Sequence, residues 1–278
     1  MMKNGLVRNI RTSFSLAMAA TADIILPRYC TICGRRLLSA EQFICIYCLG
    51  EFPFTHFWKL EHNRMADKFN EMIQSETGPR RATEDGAGNE EKIQDREPYG
   101  YAAALFMYRD DAPYRKIQYR LKYKGDTGCG RFFGKMLGDR LAGSSLFSNA
   151  DVVIPVPLHW TRLWQRGYNQ AEVIAKEIAG CLGAGLRTDI LVRTRKTKTQ
   201  TKLDVESKRE NVRNAFSVRP DSIRAMADAT HIILVDDVFT TGATIFECFR
   251  ALRKAAEECE AKQKARISAV TLGFVDSG

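Results

Sequence analysis

The chain has 278 residues, 45% of them hydrophobic, which is enough to bury one large core and still carry a small accessory module. A formal net charge of +9 fits anionic ligands such as pyrophosphate or a nucleic acid, and equally a plain basic surface, so charge alone selects no function. Eight cysteines in so long a chain, four of them in tight pairs, argue against a secreted disulfide scaffold and for a reducing cytoplasm.

Residues 1–26 place Lys3, Arg8 and Arg11 before "SFSLAMAATADIILP", where Ala20-Thr21-Ala22 has the look of a signal-peptide cleavage site. The apolar run is short and broken by serines, and a helix would set Phe14, Ala17 or Met18, Thr21 and Ile25 on one face. A helical extension without stable membrane insertion is expected. In residues 27–69, Cys30-x2-Cys33 and Cys45-x2-Cys48 stand eleven residues apart, the layout of two knuckles closing a tetrahedral zinc site. Redox pairs or unconnected core thiols are the other readings. Four thiolates would saturate the metal, leaving it architectural rather than catalytic. Residues 70–97 are charged and Gly-rich, with few large aliphatic residues, Met72 and Ile93 among them, and read as a flexible insertion.

Residues 98–278 alternate. A strand is expected from Tyr101, then amphipathic helices through "APYRKIQYRLKYKGD" and "RFFGKMLGDRLAG". A strand over 152–156, a helix starting near Tyr168, a strand over 190–193 and a polar basic loop come next. A strand over 231–236, a helix over 243–259 and a strand over 267–274 complete the order. Such alternation predicts an α/β domain, a mainly parallel sheet flanked by helices, whose ligands sit beyond the carboxyl ends of the strands.

Two strand ends carry candidate chemistry. "VVIPVP" stops on Pro155, Val156 and Pro157, which either simply terminate a strand or open an anion loop. Arg162 and Arg166 suit a pyrophosphate, and Gly167 would let a backbone N–H approach it. The second end is "IILVDDVFTTGAT", residues 232–244. Adjacent Asp236 and Asp237 repel each other unless hydroxyls, a cation or N–H groups take up their charge. Thr240, Thr241, Gly242 and Thr244 then lead into an apolar-periodic helix, which together make a phosphate cradle. The plainer alternative is a strand, turn and capped helix with solvated acids. Cys181 and Cys248 fall in apolar helix patterns and read as core, while the four histidines are scattered, with His159 beside the PVP loop.

The loop at 235–244 resembles the ribose-phosphate binding signature of type I phosphoribosyltransferases. The resemblance implies that Asp236 and Asp237 hold the ribose hydroxyls of phosphoribosyl pyrophosphate (PRPP), bound with Mg2+, while Phe239, Thr240, Thr241, Gly242, Ala243 and Thr244 wrap its 5′-phosphate. Together with "CTIC", "CIYC", "LKYKGD", "PVPLHWTRLWQRGYNQ" and "KTKTQTKLDVESKRENVRNAF", the chain resembles the ComF family of competence-associated proteins. That likeness implies a zinc module joined to a phosphoribosyltransferase-like domain. It implies catalytic roles for Asp236, Asp237 and Arg166, a pyrophosphate loop of Pro155, Val156, Pro157, Arg162 and Arg166, and a mobile loop with Gln200 and Arg209. It also implies single-stranded DNA and a DNA-uptake translocase as partners, through which a cytoplasmic protein would meet the membrane; the competing reading is an active transferase with an unidentified nitrogen acceptor. Residues 187–219 carry ten Lys/Arg against four Asp/Glu, yet no evenly spaced aromatics interleave them, so the segment lacks a stacking platform.

Overall fold

The computed structural model describes residues 27–77, 97–109, 111–195, 210, 212–222, 228–259 and 263–276. The N-terminal extension, residues 78–96 of the insertion, and Gln200 and Arg209 lie outside them.

Five strands form one parallel sheet: β1 (Ala102–Met107), β2 (Val152–Pro155), β3 (Gly185–Leu186), β6 (His231–Phe239) and β7 (Arg266–Phe274), in the order β1-β7-β6-β2-β3. Each of the three central strands is a near-continuous apolar run because helices cover both faces. One face receives α3 (Arg115–Tyr123), α4 (Thr127–Ala142) and α6 (Gln170–Leu182); the other receives α2 (Arg64–Thr77) and α7 (Ala243–Glu258). A Cβ at Gly134 of α4 would come within 3.2 Å of the Ile174 Cα, so a residue without a side chain lets α4 and α6 approach backbone to backbone.

Three expectations are corrected. Residues 70–77 are not insertion but the last two turns of α2, with Met72 and Ile73 buried against the sheet; a segment poor in apolar residues still folds when the few present face a core. The strand near 190–193 exists as β4 (Leu191–Arg193), but it leaves the parallel sheet and pairs antiparallel with β5 (Phe216–Val218). Arg193 stacks on Phe216 at 5.0 Å, fastening that hairpin. Finally, "HWTRLWQRG", given no element between the prolines and the helix expected near Tyr168, contains a short helix, α5 (Trp160–Arg166), none of whose residues is buried. Among the described residues no helix is long and apolar enough to cross a membrane.

The four-cysteine segment, which includes α1 (Ile46–Gly50), is not a separate body. Cys30, Ile32, Ile44, Cys45 and Phe52 share one core with Phe106, Phe133 and Leu121. Phe52 meets Phe106 edge-on at 5.3 Å, the Tyr114 hydroxyl donates to the Glu51 carbonyl (2.9 Å), and Lys116 Nζ donates to the Ile32 carbonyl (2.6 Å).

Candidate functional site

In the parallel register Pro155 lies opposite Val235, and the Val156 amide donates to the Val235 carbonyl (2.8 Å). The proline turn and the acid pair therefore leave the sheet side by side, and a cavity of about 380 Å³ opens beyond them. Asp236, Asp237 and every residue from Phe239 to Thr244 line it. Val156, Arg162 and Arg166 line it too, whereas Pro155, inside β2, and Pro157 do not.

The loop between β6 and α7 is shaped by Gly242, which caps the helix with φ +80°. An added Cβ there would meet Met72 Cε at 2.4 Å and Phe239 Cζ at 2.5 Å. Gly242 itself offers no side-chain cap, the Ala243 amide donates to Thr241 Oγ1 (3.4 Å), and the start of α7 with its positive dipole end lines the cavity. Gly242→Ala is expected to cost roughly 2–4 kcal/mol through left-handed strain and overpacking. Urea unfolding with an unchanged midpoint would contradict that account.

Burial first, and then the neighbouring Asp237 charge, push the Asp236 carboxyl up to about 7. The Asp237 amide donates to Asp236 Oδ1 (2.8 Å) and opposes this in part. Two cations with no expected role at this strand end, Lys122 and Arg193, join Arg162 and Arg166 in the cavity. Lys122 of α3 reaches Asp237 Oδ2 at 2.8 Å, as an ion pair rather than an aligned hydrogen bond. Burial depresses Lys122, but the attraction of Asp237 and Asp236 outweighs it and the ammonium ends above its ordinary range. Arg193 comes from β4, and burial, with Arg162 nearby, lowers its pKa. Arg162 is likewise lowered, by burial and then by Arg166. Gathering Arg162, Arg166 and Arg193 beside one another is unfavourable, and at Arg193 the Asp236 charge offsets it only in part.

Other candidates do not join the cavity. His159 is buried and caps α5, its Nδ1 accepting from the Thr161 amide (3.3 Å). His231 is held at the other end of β6 by Asn149 (3.0 Å) and Ser268 (2.8 Å), and burial lowers its pKa to about 4. Cys248 is core.

The thiols of Cys30, Cys33, Cys45 and Cys48 all lie within 4.8 Å of one another, and none is in a disulfide. A tetrahedral zinc with Zn–S bonds of about 2.3 Å separates its sulfurs by about 3.8 Å, close to this cluster. Burial raises the Cys30 thiol, but the amides of Cys33, Cys45 and Ile32 outweigh it and bring it down to about 7, the hydrogen-bonding pattern of a thiolate ligand. The donor set fits a structural metal such as zinc.

No family model matches the chain. It is 37% identical over 108 residues to Competence protein F of Haemophilus influenzae, covering 39% of this chain and 46% of that protein. DNA utilization protein YhgH of Escherichia coli K12 is 32% identical over 102 residues (37% and 43%), and Competence protein ComFC of Bacillus subtilis is 31% identical over 158 residues (55% and 56%). The chain thus spans about half the length of the curated relatives it matches. With the four-cysteine cluster and the helix-flanked parallel sheet, these likenesses to competence and DNA-utilization proteins support the ComF-family resemblance.

Proposed function

We propose that this protein binds PRPP with Mg2+ in the cavity and acts on single-stranded DNA during its uptake in natural transformation. The observation that carries the ligand reading is the convergence, at one sheet end, of the acid pair, the Thr-Thr-Gly-Ala-Thr loop and the cations Lys122, Arg162 and Arg166. The acids suit a vicinal diol, the loop and helix start suit a monophosphate, and the guanidinium groups suit a pyrophosphate. Mg2+, when bound with PRPP, would spread the pyrophosphate charge. If the protein turns over, Arg166, which donates to Gln170 Oε1 at 2.8 Å, would be held facing the departing pyrophosphate, and Arg162 would share its charge. Zinc would be held by Cys30, Cys33, Cys45 and Cys48 away from this chemistry.

The DNA role is taken from the competence and DNA-utilization relatives, and one structural observation favours direct contact. Tyr119 and Tyr123 of α3 are 52% and 63% exposed, and Trp160 and Trp164 of α5 are 71% and 85% exposed. They sit on the helices that send Lys122, Arg162 and Arg166 into the cavity. The aromatics missing from the segment around Arg193, Arg195, Lys196, Lys198, Lys202 and Lys208 are thus found on other helices; of those six, Arg193 and Arg195 lie among the described residues.

The deciding experiment mixes purified protein with PRPP, Mg2+ and a panel of bases, amines and single-stranded DNA, following binding and pyrophosphate release separately. DNA affinity should fall steeply with salt. Trp160→Ala with Trp164→Ala should weaken it by about 1–3 kcal/mol per base unstacked, without changing the salt slope. Undetectable DNA binding at low salt, with pyrophosphate released to a small nitrogen acceptor, would establish the transferase instead.

A further inference from the structure

Asp237 is gripped from a single helix. Gln118 and Lys122, one turn apart on α3, both point at it: Gln118 Nε2 donates to its backbone carbonyl (2.9 Å), and Lys122 Nζ lies 2.8 Å from its Oδ2. Oδ2 is closed off from solvent although Asp237 lines the cavity, so the oxygen turned toward the cavity is Oδ1. Asp236 is arranged in the same way by a different donor, its Oδ1 accepting the Asp237 amide (2.8 Å). Each carboxylate has one oxygen committed to the protein and one left over.

We infer that Lys122 is a positioning residue, holding Asp237 so that the pair offers one acceptor to each hydroxyl of a vicinal diol. The inference rests on the diol reading above and adds the part of the site that sets selectivity for a ribosyl over a 2-deoxyribosyl ligand. An ammonium alone attracts a carboxylate from any direction. Gln118 removes that freedom by fixing the main chain, and with the Lys122 and Asp237 side chains only 29% and 14% exposed, Asp237 has little room to rotate. The helix is fixed in turn, since Lys116 and Tyr114 tie its start to the carbonyls of Ile32 and Glu51 in the cysteine module.

Calorimetry with ribose 5-phosphate, 2-deoxyribose 5-phosphate and inorganic phosphate tests this. A hydrogen bond to a charged group contributes about 1.5–3 kcal/mol, so the parent should prefer the ribosyl compound about tenfold or more. In Lys122→Met that ratio should fall toward one, and in Lys122→Arg it should be largely kept. The ratio is the readout because loss of a positive charge weakens all anions and cancels between the two sugars. Should Lys122→Met fail to fold, Gln118→Leu leaves the charge in place, frees the Asp237 main chain and should lower the ratio too. A parent that discriminates, with folded variants that discriminate equally, overturns the inference alone. A parent that binds both sugars no better than inorganic phosphate overturns the diol reading and the inference with it.

Discussion

Asp236→Asn combined with Asp237→Asn is expected to abolish measurable PRPP binding while the protein stays folded. Two charged acceptors are removed from the diol, each interaction contributing about 1.5–3 kcal/mol, so binding should weaken roughly a hundredfold or more. Stability should not follow. The Asp236 carboxyl titrates near 7 in the folded protein against an ordinary value of 3.8. The native state therefore holds more protons than the unfolded state between these values, and this group's contribution to stability is lost as pH rises toward 7. An amide at that position carries no such penalty, and the Asn side-chain oxygen at 237 can still accept from Lys122. Thermal melts at neutral pH should show the double variant no less stable than the parent, while the parent gains on it as pH falls toward 4. Calorimetry showing unchanged PRPP affinity in the folded double variant would sink the assignment of these acids.

The second large effect concerns the metal. Protein prepared without chelator is expected to carry one zinc per chain, and its removal should disturb more than residues 27–60. Structural zinc contributes about 10–16 kcal/mol of apparent binding free energy in small zinc-binding peptides, comparable with or above the whole stability of a typical domain. Here Cys30, Ile32, Ile44, Cys45 and Phe52 belong to the core that also holds Ile117, Leu121 and Phe133. Chelation should therefore speed hydrogen exchange in α3 and α4 as well as in the cysteine segment. α2 and α7 pack in a separate core on the opposite sheet face and should stay protected. Because α3 carries Lys122 and Gln118, PRPP binding should weaken on chelation although no cysteine touches the cavity. Metal analysis finding no zinc, or exchange confined to residues 27–60, would contradict this coupling.

What the sequence by itself determined is the chemistry that neighbours in the chain can express. Asp236 through Thr244 are consecutive, so strand, turn and helix start place them together whatever the rest of the fold does. Cys-x2-Cys spacing closes each knuckle locally, and unbroken apolar runs such as "IILV" demand burial on both faces. The helices α3, α4 and α7 were legible for the same reason, from periodicity, whereas the start of α4 is set by Asp126, whose Oδ1 accepts the Cys129 amide at 2.9 Å.

Only the tertiary structure decided which distant side chains complete the site. Gln118 meets Asp237 across 119 positions, and Lys122 reads as one more charge on a basic helix until that helix is docked. Residues 70–77 look like linker because most of a helix surface can be polar when the remaining stripe, here Met72 and Ile73, has a core to face. The departure of β4 from the main sheet and the merging of the cysteine segment with the domain core are also set by contacts between remote segments. Such contacts leave no period or spacing in the chain, since nothing in the local backbone depends on them until the rest of the molecule is in place.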